Sequence, residues 1–182
     1  MVAAVRQRSQ MPIVLYLYYN LVHRYGVESF IRDAARAGVD GLLVLDLPPE
    51  EAGGYEPLMR AADLCAIHLV APTTPEDRIA LIVKGASGFV YYVSREGVTG
   101  MQQTLPVNLA LMCGRIRAHT DLPIAVGFGI SSPEQARLVA GEADAVVVGS
   151  AVVSQIARCG QSPDMPAQVA GFVRSLVQAV KG

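Results

Sequence analysis

At 182 residues, 52% hydrophobic and 17% charged, the chain has enough apolar material for one buried core and too little charge for a disordered or fibrous class. A formal net charge of −1 with no Lys/Arg cluster leaves no electrostatic footprint for nucleic acid, and no apolar run approaches the ~18 residues of a membrane span. Three dispersed cysteines (Cys65, Cys113, Cys159) and three dispersed histidines (His23, His68, His119) lack ligand spacing, so no metal site is expected. Reduced thiols and the lack of a basic region ahead of an apolar stretch at the start predict an unexported, cytoplasmic chain.

In chain order, Val2 to Gln10 reads as the end of a helix. Pro12 to Tyr18 is an apolar, aromatic-containing run suited to a strand buried on both faces. Val27 to Ala37 carries a helical stripe (Val27, Phe30, Ile31, Ala34, Ala35) that stops at Gly38. A strand over Gly41 to Leu45 leads through Asp46-Leu47-Pro48-Pro49 to a helix from Pro57 to Asp63, then a strand over Ala66 to Val70. Thr74-Pro75-Glu76-Asp77 reads as a cap, a first-turn proline and an acidic first turn of a helix to Lys84. Phe89 to Val93 is the fourth strand, and a polar, Gly-rich loop from Ser94 to Leu105 precedes a helix from Val107 to His119. A strand beginning at Pro123, another over Ala145 to Val148 with a helical segment after it, and a helix from Ala167 to Val180 complete the pattern.

The stretch Pro123 to Ser131 reads as half of a phosphate cradle. Gly127 and Gly129 can take positive φ and let backbone N–H groups approach an anion, while Ser132, Pro133 and Gln135 form a capped helix start. The other half is Gly149-Ser150, where the next strand runs into a helix whose first N–H groups are free. Taken singly, each glycine reads equally well as the punctuation of a tight βα turn. Two consecutive strand ends sharing one phosphate match the site at the last two strands of (β/α)8 barrels. Six strands alternating with helices predict an α/β chain with a parallel sheet: an incomplete TIM (β/α)8 barrel, residues 1–182 forming one partial domain with the deficit at the front. An open doubly wound sheet is the alternative, although its phosphate loop ordinarily follows the first strand.

The segments Tyr18-Tyr19-Asn20-Leu21-Val22, Asp46-Leu47-Pro48, Ser94-Arg95-Glu96-Gly97-Val98-Thr99-Gly100, Gly127-Phe128-Gly129-Ile130-Ser131 and Gly149-Ser150 resemble, in order and spacing, the tryptophan synthase α subunit family. The resemblance implies a barrel that cleaves indole-3-glycerol phosphate to indole and glyceraldehyde 3-phosphate by a retro-aldol route. It also implies a β-subunit partner that carries pyridoxal phosphate, with no cofactor in this chain. Carried over by position, Gly100, Phe128, Gly129, Gly149 and Ser150 bind the phosphate, and Thr99 lies on the mobile loop that closes over substrate. Tyr18, Leu43 and Tyr91 are the walls that hold the indole ring; for Leu43 ordinary barrel packing stands beside that reading, whereas a hydroxyl at a strand end favours it for the tyrosines. Asn20 is expected where the family approaches its β partner, or as a turn former, and Asp46 at the active-site rim, or capping a turn.

Cleavage needs two positioned carboxylates. In the family these are a Glu at the end of the second strand and an Asp in the loop after it. By the same resemblance Met1 falls in the helix before the third strand, so both lie upstream of Met1 and no catalytic residue is assigned within the chain. Glu96 and Asp46 form no pair whose environments would separate two pKa values. Three readings follow: the lyase, as part of a longer reading frame; a non-catalytic phosphate-binding partner of a β subunit; and an inactive fragment.

Overall fold

A computed structural model describes residues 1–93, 105–127 and 129–182. Phe128 and the loop readings on Glu96, Thr99 and Gly100 lie outside those residues. The chain divides into two compact units, residues 1–70, 74–90 and 119–122, and residues 71–73, 91–118 and 123–182. Among the described residues, six strands follow one another through the sheet in chain order.

The first unit opens with α1 (Val2–Arg6), which stops short of the expected Gln10 and buries none of its side chains. Its last residue explains the stop. The Arg6 guanidinium donates from Nε to the Gly38 carbonyl and from Nη1 to the Met11 carbonyl, both at 2.6 Å, and pairs through Nη2 with Asp40. The chain is thus drawn toward β1 (Val14–Leu17). Next comes α2 (Tyr19–Tyr25), a helix that the sequence reading passed over; it buries only Val22, so no apolar stripe announces it. Asn20 lies inside α2 and is not a turn former. By contrast α3 (Val27–Ala37) has the expected bounds, and Gly38 at φ +90° donates its N–H to the Ala34 and Ala35 carbonyls.

β2 (Gly41–Val44) lies parallel to β1, with Tyr16 opposite Leu43, and β3 (Cys65–Val70) lies parallel to β2, with Ile67 opposite Leu43. Between them α4 (Tyr55–Ala61) starts two residues ahead of the expected Pro57. Proline is tolerated there because the first amides of a helix have no helical acceptor to lose. α5 (Glu76–Gly85) has Pro75, not Thr74, at its cap position and no side-chain cap; the acidic first turn of Glu76 and Asp77 remains to face the positive helix end. Leu42 and Ala66 face the helices and bury with Ile31, Ala34, Tyr55 and Met59. Each large side chain so buried is worth about 1.5–3 kcal/mol. Alternation puts Leu43, Tyr16 and Ile67 on the other face.

The second unit carries β4 (Val90–Val93) from Tyr91 onward, then α6 (Leu105–Arg117), β5 (Ile124–Gly127), α7 (Pro133–Ala140), β6 (Ala145–Val147), α8 (Ser150–Cys159) and α9 (Met165–Lys181). β5 and β6 are parallel, with Gly127 opposite Val147. Ser132 caps α7 by accepting from the Gln135 N–H at 3.3 Å. The return bond of the expected capping box reaches Ser131 instead, whose N–H donates to Gln135 Oε1 at 2.8 Å.

One device recurs where strands begin. Ile13 donates its N–H to Asp40 Oδ2 at 2.6 Å, while the Asp40 N–H returns to the Ile13 carbonyl at 2.9 Å. Ile124 and Asp144 repeat this at 2.9 and 3.0 Å, and Ala66 with the hydroxyl of Ser87 does so at 2.9 and 2.8 Å. Each closes a strand, its helix and the approach to the next strand into one bonded loop.

Candidate phosphate cradle and ring wall

The cradle belongs to the second unit. Gly127 and Val147 are paired, so Gly129 and Gly149 each lie two residues beyond the last pair, at the same end of neighbouring strands. Gly129 has φ +64°, a conformation that side-chain-bearing residues rarely adopt. Among the described residues, a Cβ added at Gly129 or at Gly149 would meet nothing within 4 Å, so both backbones border open space. Gly149 is the cap residue of α8 and, among the described residues, that end carries no side-chain cap hydrogen bond, in contrast to α7 with its Ser132 cap. Ser150, the first residue of α8, is exposed. Uncapped N–H groups and the positive end of a ten-residue helix suit an anion with several acceptor oxygens.

Gly127 has a different role from the one expected. It is a strand residue without positive φ, and its need for glycine comes from β4: a Cβ there would overlap the Tyr91 hydroxyl and stand 2.8 Å from Cζ and 2.9 Å from Cε2. Gly127 therefore admits the Tyr91 ring, which is 9% exposed, across the strand.

The remaining predicted residues lie in the first unit. Tyr18, 57% exposed, has extended backbone and forms the cap position of α2. Leu43 is 4% exposed, held between Tyr16 and Ile67. Asp46 accepts the Tyr19 N–H at 2.6 Å, so the carboxylate at the end of β2 caps a helix that precedes it in the chain. Tyr16, which is not among the predicted site residues, stands opposite Leu43. Partial burial, reinforced by neighbouring Tyr18, raises the Tyr16 hydroxyl above its ordinary pKa. Among the described residues no group of three or more His, Cys, Asp or Glu could hold a metal ion, and no helix is long and apolar enough to cross a membrane.

Parallel strands in chain order, alternating with helices, define an incomplete (β/α)8 barrel. Residues 1–181 match the family profile of the tryptophan synthase alpha chain, and the chain belongs to that family. It is 49% identical over 182 residues to the tryptophan synthase alpha chain of Opitutus terrae and 47% identical to that of Pelobacter propionicus, covering all of this chain and 68% of each relative. The crystal structure of tryptophan synthase subunit alpha from Legionella pneumophila superposes with a TM-score of 0.86 at 34% identity, over 99% of this chain and 67% of that one. A structure of the tryptophan synthase α2β2 complex from Pyrococcus furiosus, reported for its mutual activation, matches at 0.87 and 36% identity, over 97% of this chain and 71% of the other.

Proposed function

We propose that this chain acts as a tryptophan synthase alpha chain, a lyase of tryptophan biosynthesis that cleaves indole-3-glycerol phosphate to indole and glyceraldehyde 3-phosphate. The observation that carries this reading at the site is the pair of open glycines, Gly129 and Gly149, beyond the paired ends of β5 and β6, with the uncapped start of α8 beside them. In this reading Gly129, Gly149 and Ser150, with Phe128 and Gly100, hold the phosphate, and Thr99 closes over it. Tyr18, Leu43 and Tyr91 bound the indole ring. We read residues 1–182 as one partial barrel domain in the cytoplasm, with a β subunit as partner and pyridoxal phosphate confined to that partner.

The chemistry sets what else is required. The bond between the indole ring carbon and the hydroxyl-bearing glycerol carbon breaks, its electron pair returning to the ring. A proton must reach that ring carbon, and the adjacent hydroxyl must give one up as its carbon becomes the aldehyde. Each transfer needs a positioned acid or base worth roughly 10²–10⁴ in rate. Holding ground state and transition state equally gives no acceleration. Asp46 already accepts the Tyr19 N–H, and the resemblance puts the two working carboxylates ahead of Met1. A polypeptide of residues 1–182 is therefore expected to bind substrate without releasing indole above background, with or without a β subunit. The same chain extended by the two preceding strands is expected to release it. An indole-release assay on both polypeptides checks this: turnover by the shorter one would move the proton chemistry to Asp46 or Glu96, and silence from both, despite phosphate binding, would favour a non-catalytic partner of a β subunit.

A further inference from the structure

The residue that carries a further inference is His68, whose side chain is 9% exposed on β3. It lies two residues beyond Ala66 and so on the helix-facing side of the strand, packed under α4 and α5. Its Nε2 is buried without a hydrogen-bond partner. Glu56, in the first turn of α4, brings Oε1 to 3.4 Å, near enough for an ion pair yet not aligned as a hydrogen bond. Gly85, the last residue of α5, makes room for this carboxylate: a Cβ there would stand 2.5 Å from Glu56 Cδ and 2.7 Å from Oε2. A cavity of about 250 Å³, lined also by Arg60, Asp63, Cys65 and Ser87, opens beside the carboxylate.

We propose that the buried His68 imidazole is an acid-sensitive point between β3 and α4, through which a falling pH loosens α4 from the sheet. The charged groups on the elements packed against β3 are Glu56 and Arg60 on α4, Asp63 in the turn after it, and the acidic first turn, Arg78 and the exposed Lys84 of α5; the strand residues of β2 carry none. Glu56 is the one in ion-pair reach of the imidazole. Burial disfavours the imidazolium and Glu56 favours it, and burial is the larger effect, so the packed imidazole binds its proton below the ordinary value of 6.5. The unfolded or locally opened chain binds that proton more readily. Stability from burying the neutral imidazole is therefore complete above that value and falls as pH drops through it toward the lower folded-state value, while the Glu56 pair, which strengthens on protonation, offsets part of the loss.

Three measurements test the proposal. NMR titration of the unmutated chain is expected to give His68 a midpoint below 6.5, and Glu56→Gln to lower it further. The urea midpoint of the unmutated chain is expected to fall between about pH 7.5 and about pH 5.5, and His68→Gln to flatten that fall. Hydrogen exchange, corrected for its intrinsic pH dependence, is expected to rise over that range in α4 relative to α3. A His68 midpoint at or above 6.5 overturns the proposal, as does a His68→Gln fall as steep as the original, or an equal rise in exchange for the two helices. Should His68→Gln not fold, the titration and exchange of the unmutated chain decide alone.

Discussion

Gly127 and Gly129 are two residues apart and are glycine for unrelated reasons. At Gly127 the constraint is the Tyr91 ring, which a Cβ would overlap, so Gly127→Ala forces a shift in a packed side chain. Overpacking of this kind costs typically 1–3 kcal/mol, about what urea unfolding of Gly127→Ala is expected to show. At Gly129 a Cβ meets no atom of the described residues, but the residue must take φ +64° and, in the function proposed above, stand where the phosphate lies. Gly129→Val is expected to abolish binding of glycerol phosphate measured by titration calorimetry. Unchanged affinity in that variant would remove the phosphate assignment, whatever its stability.

Between elements, the bonded loops at strand starts combine local and distant partners. Asp40 holds the Ile13 N–H and the Arg6 guanidinium together, and Asp144 holds the Ile124 N–H with Arg117 at a longer 3.4 Å. Hydrogen bonds to a charged group contribute about 1.5–3 kcal/mol, so Asp40→Ala is expected to lower stability by roughly that amount. Asp40→Asn keeps an acceptor and should recover part of the loss. Asp144→Ala is expected to cost less, because its arginine is farther away. Urea unfolding of the three variants measures this, and equal stability for Asp40→Ala and the unmutated chain would show the loop to be closed by packing alone. The same scale explains the missed helix. α2 follows β1 without a turn residue, and the carboxylate that caps it, Asp46, arrives from the end of β2; no local signal announces a cap that is 27 residues away.

For the molecule as a whole, β1 and β6 are the outermost strands in the sheet order, and among the described residues each has one neighbour. An unpaired parallel edge exposes a row of N–H and C=O groups to any other chain. A polypeptide of residues 1–182 is therefore expected to associate with rising concentration in sedimentation velocity. The chain extended by the two preceding strands is expected to associate less. A compact monomer at high concentration from the shorter polypeptide would count against this reading of the edges.

What the sequence by itself determined is whatever neighbouring residues decide among themselves. The alternation of strands and helices, the span of α3 with its Gly38 stop, the Ser132 cap and the positive φ of Gly129 rest on local periodicity and backbone preference. The ordered motifs that point to the tryptophan synthase alpha chain are equally local. Only the tertiary structure decided where a group's partner comes from another element. Gly127 answers to Tyr91 on β4, Asp46 caps a helix behind it, and Arg6 ends α1 by reaching Gly38 and Asp40. Leu43 shows the boundary. Its apolar character marked it for burial, but its place between Tyr16 and Ile67 depends on register, which pairing across three strands sets.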